Sequence, residues 1–147
     1  NIMVLGVGNL LTQLAKCCKP VPGDDIAGYV TIGRGVTVHR KDCGHFLQVD
    51  GLHPERIIAV AWGAEAKGQS EVDISIEAYD RTGLLSDISG LLAAMRLDVS
   101  QVNPHSNRKN HTVLMNITPS IQSVDELVRA VARLNDMPNV INAARKK

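Results

Sequence analysis

Aromatic residues are scarce in this chain. Among 147 residues only Tyr29, Phe46, Trp62 and Tyr79 carry large rings, 3% of the total. That excludes a core built on aromatic packing and a surface that stacks successive bases. Any core is aliphatic, and any nucleic-acid contact works through phosphate and shape. Cysteine is limited to three residues. An odd, small number argues against a secreted disulfide framework and for reduced thiols in the cytoplasm. No apolar run reaches the roughly 18 residues of a membrane span, and no basic-plus-apolar leader opens the chain, so no membrane role is expected. Charge of one sign is lacking too: 16 basic against 15 acidic residues leave a net charge of +1. Such a balance gives no global field to attract nucleic acid, and only local patches could do so. The sequence holds no GxxxxGK phosphate loop, no HExxH pair and no HD-type metal cluster, so no catalytic residue is expected. It also lacks an initiator methionine, opening Asn1-Ile2-Met3, and reads as a piece of something longer.

What is present divides near Trp62. Residues 63–69, GAEAKGQ, are small and polar and read as a linker between domains at 1–62 and 70–147. In the second, Val72, Ile74, Ile76 and Ala78 alternate with polar residues, the period of a half-buried strand. Leu84, Leu85, Ile88, Leu91, Leu92 and Met95 then follow helical spacing. Val99–Ser106 and the alternating Val113, Met115 and Ile117 are two more strands around a polar turn. Ser123 and Glu126 form a capping box opening a helix with Leu127, Val128, Val131 and Leu134 on its apolar face, and Val140–Ala143 is a last strand. The order βαββαβ predicts a four-stranded antiparallel sheet with both helices on one face, a ferredoxin-like layout. The whole chain is thus expected to be α+β.

The first domain is less periodic. A short helix is expected over Asn9–Lys16, ended by Pro20 and Pro22. Ile26–Thr31 and Val36–His39 flank Gly33-Arg34-Gly35 as a β-hairpin. Asp42 is placed to cap a short helix through Val49, and Ile57–Trp62 is a further strand. Gly6-Val7-Gly8 is an isolated GxG without strand–helix context.

All three cysteines fall in one pattern, Cys17-Cys18, then His39, then Cys43. Thiolates and imidazole are the donors zinc prefers, and three sulfurs with one nitrogen complete a tetrahedron. A domain of this size has a small core, for which a metal staple makes physical sense. The other reading is that the cysteines are small buried hydrophobes and His39 a surface residue of the hairpin.

The run Ala15–Cys43, AKCCKPVPGDDIAGYVTIGRGVTVHRKDC, resembles the conserved-cysteine, zinc-finger-like domain of RelA/SpoT alarmone synthetases. The stretch PERIIAVAW at Pro54–Trp62 matches as well. DRTGLLSDIS at Asp80–Ser89, within the βαββαβ frame, resembles an ACT domain. Domain order and near-complete coverage place the resemblance at the C-terminal regulatory end of that family, closer to RelA than to SpoT. It implies that Cys17, Cys18, His39 and Cys43 bind zinc. It implies a parent making (p)ppGpp from ATP and GDP or GTP in the stringent response of bacteria, with catalytic domains N-terminal to this region. It further implies docking on the ribosome, through rRNA and A-site tRNA.

Five of the first domain's six cations, Lys16, Lys19, Arg34, Arg40 and Lys41, lie near the hairpin or the cysteines. They either grip RNA phosphate or form an ordinary solvated face. In the ACT-like half, Asp80, Gly83, Leu84 and Leu85 sit where the first strand turns into the first helix, where such domains bind amino acids. A branched-chain ligand suits the aliphatic lining. The alternative is that Asp80 caps the helix and Gly83 eases the turn. The open sheet could also serve to form a homodimer.

Overall fold

The computed structural model describes residues 2–4, 11–33, 35–63 and 69–146. Arg34, the Gly6-Val7-Gly8 run and residues 64–68 of the expected linker lie outside that set. Internal contacts divide the chain between Ser70 and Glu71 into two units.

In the first unit β1 is Ile2–Val4, β2 Thr12–Leu14, β3 Ile26–Thr31 and β4 Gly35–Arg40. Helix α1 follows at Gly44–Leu52, then β5 at Ile57–Ile58 and β6 at Val60–Trp62. The main sheet runs β2-β4-β3-β5, while β1 pairs with β6. The hairpin forms as its glycines foretell, with β3 and β4 in register from Ile26 opposite Arg40 to Thr31 opposite Gly35. Gly35 has φ +79°, and a Cβ there would collide with the Leu11 carbonyl. Only glycine fits.

The helix expected over Asn9–Lys16 does not form in the described part of that range. Thr12–Leu14 is instead a strand parallel to β4, with Thr12 opposite Val36. Val36 N–H donates to Leu11 O, and Ala15 N–H to Val38 O, at 2.8 Å each. The open edge of the hairpin supplies partners that a short isolated helix would have to find in itself.

The unit has two small apolar clusters. Ile26, Val36, Val38 and Val60 form one. Ala15, Cys18, Ala27, Cys43 and Phe46 form the other. Strand parity separates them: Val36 and Val38 share one face of β4, and His39 turns to the opposite face, beside its cross-strand neighbour Ala27.

The second unit is the expected βαββαβ. After the two-residue strand β7 (Ser70–Glu71) come β8 (Ile74–Tyr79), α2 (Leu84–Ala94), β9 (Val99–Asn107), β10 (Thr112–Ile121), α3 (Val124–Asn135) and β11 (Val140–Arg145). The sheet has five strands where four were expected: it runs β11-β8-β10-β7, and β9 also pairs with β10; the pairs β11–β8, β8–β10 and β9–β10 are antiparallel. Ile74, Ile76, Ala78, Met115 and Ile117 from the sheet and Leu84, Ile88, Leu92, Leu127, Ala130 and Leu134 from the helices are buried. The capping box forms with a one-residue shift. Ser123 Oγ accepts from Glu126 N–H at 3.3 Å, while Glu126 Oε1 accepts from Gln122 N–H at 3.1 Å. Strand β9, an outer strand, is exposed from Ser100 onward and carries Pro104 in its middle.

Candidate metal centre

The candidate ligands come from three local structures. Cys17 and Cys18 lie in the turn after β2, His39 near the end of β4, and Cys43 just before α1. The turn is tight: Lys19, with φ +45°, donates its N–H to Ala15 O at 3.1 Å. It brings adjacent cysteines to bear on one point, although neighbouring side chains ordinarily diverge.

Cys17 Sγ lies 3.4 Å from His39 Nδ1 and 3.6 Å from Cys43 Sγ. Cys18 Sγ lies 3.9 Å from His39 Nδ1. All four donor atoms are within 4.8 Å of one another. A tetrahedral site with Zn–S of about 2.3 Å and Zn–N of about 2.0 Å has edges of roughly 3.5–3.8 Å. Three of the edges fall close to that length, and the four residues can hold a metal ion between them.

The electrostatics suit such a role. Cys43 precedes α1 and accepts Leu47 N–H on its carbonyl at 3.0 Å, the position of a helix cap. Burial alone would raise its thiol. The backbone N–H groups of Phe46 and His45, with the Cys17 and Cys18 thiols, outweigh that and hold Cys43 below the ordinary cysteine value. A thiolate here does what a Ser or Asp cap does, on amides that favour negative charge. Burial raises Cys17, with Cys43 adding to it. Burial pushes Cys18 up to about 12, against the opposing pull of the Arg40 N–H. Burial, and secondarily His45, lowers His39, so its imidazole is neutral and free to ligate. A cation held by these residues would offset the raised thiols by favouring their deprotonated form.

Around the donors, Arg40 N–H donates to Cys18 Sγ at 3.3 Å. The His39 ring stacks on Phe46 at 5.5 Å and on His45 at 6.0 Å between centroids. The reading from sequence missed His45 and Phe46; their position in the first turn of a helix that begins at a ligand was the available signal.

The cations sort differently from expectation. Lys16 and Lys41 are exposed and Lys19 is half-buried. Arg40, expected as a surface cation for RNA, is buried, its side chain 8% exposed. Its guanidinium donates to Asp42 Oδ2 at 2.7 Å and to Cys18 O at 3.5 Å. The alternation that buries Val36 and Val38 carries Arg40 inward as well. Asp42 is thereby engaged with Arg40.

In the second unit, Asp80, Gly83, Leu84 and Leu85 line one groove of about 360 Å³, closed by Pro104 and Ser106 of β9 and Val113 and Met115 of β10. Gly83, with φ +83°, caps α2 without any side-chain bond, so Asp80 is not the cap. Asp80 instead donates its backbone N–H to His111 O at 2.7 Å and keeps an exposed side chain. Arg81 pairs with Asp87 at 2.7 Å across the helix start. Leu84 is buried in the core, whereas Leu85 is 46% exposed at the groove.

Comparison with known proteins places these two units. Residues 2–63 match the RelA/SpoT RIS domain and residues 67–145 the ACT domain. The chain is 38% identical over 144 residues to a GTP pyrophosphokinase of Haemophilus influenzae, covering 98% of this chain and 19% of that protein. It is 38% identical over 145 residues to that of Escherichia coli, covering 99% and 20%. The ACT domain of a Chlorobium tepidum GTP pyrophosphokinase aligns with 54% of this chain and all of that one, at 18% identity and a TM-score of 0.47. The chain belongs to the RelA/SpoT family and corresponds to its C-terminal regulatory region. It spans about a fifth of the length of the relatives it matches. Among the described residues no helix is long and apolar enough to cross a membrane.

Proposed function

We propose that this chain is the regulatory region of a cytoplasmic (p)ppGpp synthetase, and that its zinc-held first domain docks on ribosomal RNA to control N-terminal catalytic domains. The observation that carries the reading is the convergence of Cys17, Cys18, His39 and Cys43 within 4.8 Å. Three thiols and a neutral imidazole are a structural zinc set, with no place left for a substrate water. The ion therefore builds a surface instead of performing a reaction. Lys16 and Lys41 flank the ligands on that surface, exposed and next in sequence to Cys17 and Arg40. Contacts of this kind with RNA backbone are charge-driven and salt-sensitive. Lys19 is a further candidate for the same surface, Arg34 is a candidate from the sequence, and Arg40 supports the surface from within.

The test is co-sedimentation with ribosomes across a salt series. The double variant Lys16→Glu/Lys41→Glu is expected to bind more than about tenfold more weakly at low salt, with a shallower salt slope. Equal binding by a folded, zinc-loaded double variant overturns the docking surface. A second reading, binding of a branched-chain amino acid by the second domain, is favoured by the groove at Asp80, Gly83 and Leu85. A rise in melting temperature with leucine, isoleucine or valine concentration would support it.

A further inference from the structure

The four ligands are not equally reachable. Cys17 is exposed, whereas Cys18 and Cys43 are buried at 6% and 8%. His39 is buried at 7%. The exposed sulfur also lies 3.6 Å from a sulfur that is not its sequence neighbour, Cys43 Sγ. The other partner within reach, Cys18, is adjacent in sequence, and a disulfide between adjacent residues is strained. Cys18 Sγ is moreover tied to the Arg40 N–H. Cys17 lies in the turn after β2 and Cys43 just before α1, so neither belongs to a strand.

We infer that Cys17 and Cys43 form an oxidant-sensitive pair, which hydrogen peroxide converts to a disulfide with release of the metal. The inference rests on the zinc reading for the release, though not for the pairing. In the first step the Cys17 thiolate attacks the O–O bond. A sulfur–oxygen bond forms, and the other oxygen leaves as hydroxide and becomes water on taking a proton. In the second step the Cys43 thiolate attacks Cys17 Sγ. The S–S bond forms, the S–O bond breaks, and the departing hydroxide takes a second proton. Two thiolates, one peroxide and two protons give one disulfide and two waters; sulfur loses two electrons and peroxide gains them. Cys18 and His39 then remain as two ligands where zinc needs four. The new bond joins the turn to the helix where the ion had joined them, so the unit stays closed while its metal leaves.

The experiment uses the intact chain. Metal content is measured first, and hydrogen peroxide is then added while zinc release is followed with a chromogenic chelator. Free thiols are counted after denaturation, and peptide mass mapping locates the bond. The expected result is about one zinc per chain before oxidant and more than a tenfold fall after it. Thiols fall from three to one, and the mass drops by about 2 Da with Cys17 linked to Cys43. Dithiothreitol with added zinc restores the starting state. The variant Cys18→Ala, whether or not it holds zinc, should give the same Cys17–Cys43 link. Chains without zinc before oxidation would refute the zinc reading while the mapping still decides the pairing. A Cys17–Cys18 bond, an intermolecular bond, or sulfinic acid without a disulfide overturns the inference.

Discussion

In the second unit, Ile74, Ile76, Ile88, Met115, Ile117, Ile121 and Leu134 are each under 2% exposed, one aliphatic layer between sheet and helices. In the first, apolar burial is split into two clusters of four and five residues, and two of the five are metal-ligand candidates. The same chain thus uses two ways of holding a domain together. Where regular strands and helices are long enough, burial alone supports the fold at about 25 cal/mol per Å². Where strands are six residues or fewer and helix α1 is nine, the fold gathers four residues able to hold a metal at one point. The difference teaches that the cluster able to hold a metal stands in the unit whose apolar core is the smaller.

Removing the metal should break the comparison most sharply. Structural zinc contributes apparent binding free energies of about 10 kcal/mol in small domains. A strong chelator is therefore expected to abolish cooperative unfolding of the first unit and leave that of the second in place. Calorimetry with and without chelator checks this; a single unchanged transition would make the cysteines inert core residues. The converse break is Ile88→Asp, which buries an unpaired charge in the aliphatic layer and should cost the second unit about 3 kcal/mol or more. Zinc stoichiometry is expected to be unaffected, as read by denaturant melts beside metal analysis.

Two smaller changes sharpen the contrast. Arg40→Ala removes the bond to Cys18 O and the pairing with Asp42, which is itself 56% exposed. Partial screening by solvent limits the loss to about 1–2 kcal/mol, confined to the first unit. Lys41→Ala, one residue on, should change stability by less than about 0.5 kcal/mol. The pair separates the cation that supports the site from the one that faces outward, and equal effects would erase that distinction. Smallest is Ser123→Ala, which removes the cap of α3 and should cost about 1 kcal/mol in the second unit alone.

The second unit was legible because its signals are local and periodic. Alternation of two and spacing of three to four identify β8, α2, β10 and α3 without knowledge of the rest of the chain. The convergence of Cys17, Cys18, His39 and Cys43 was legible for a different reason: only a few residue types bind zinc, and they stood together in one pattern. What escaped depended on pairing at a distance. Nothing in Thr12-Gln13-Leu14 announces a strand until β4 lies beside it. Arg40 read as a surface residue because its type outweighed its parity, although Val36 and Val38 two and four positions earlier pointed to the inward face. Asp80 was a plausible cap by type, but Gly83 and the backbone bond to His111 fix the start of α2 without it.

Strand β9 has a further consequence. An uncovered outer strand offers a row of amides and carbonyls to any neighbouring chain, the starting point of fibre growth. Pro104 interrupts that row in the middle of the strand, because its nitrogen carries no hydrogen to donate. The turn beyond it, Arg108 and Lys109, adds positive charge at the end of the same rim. Repulsion and a missing donor together make this rim a poor template for edge-to-edge growth.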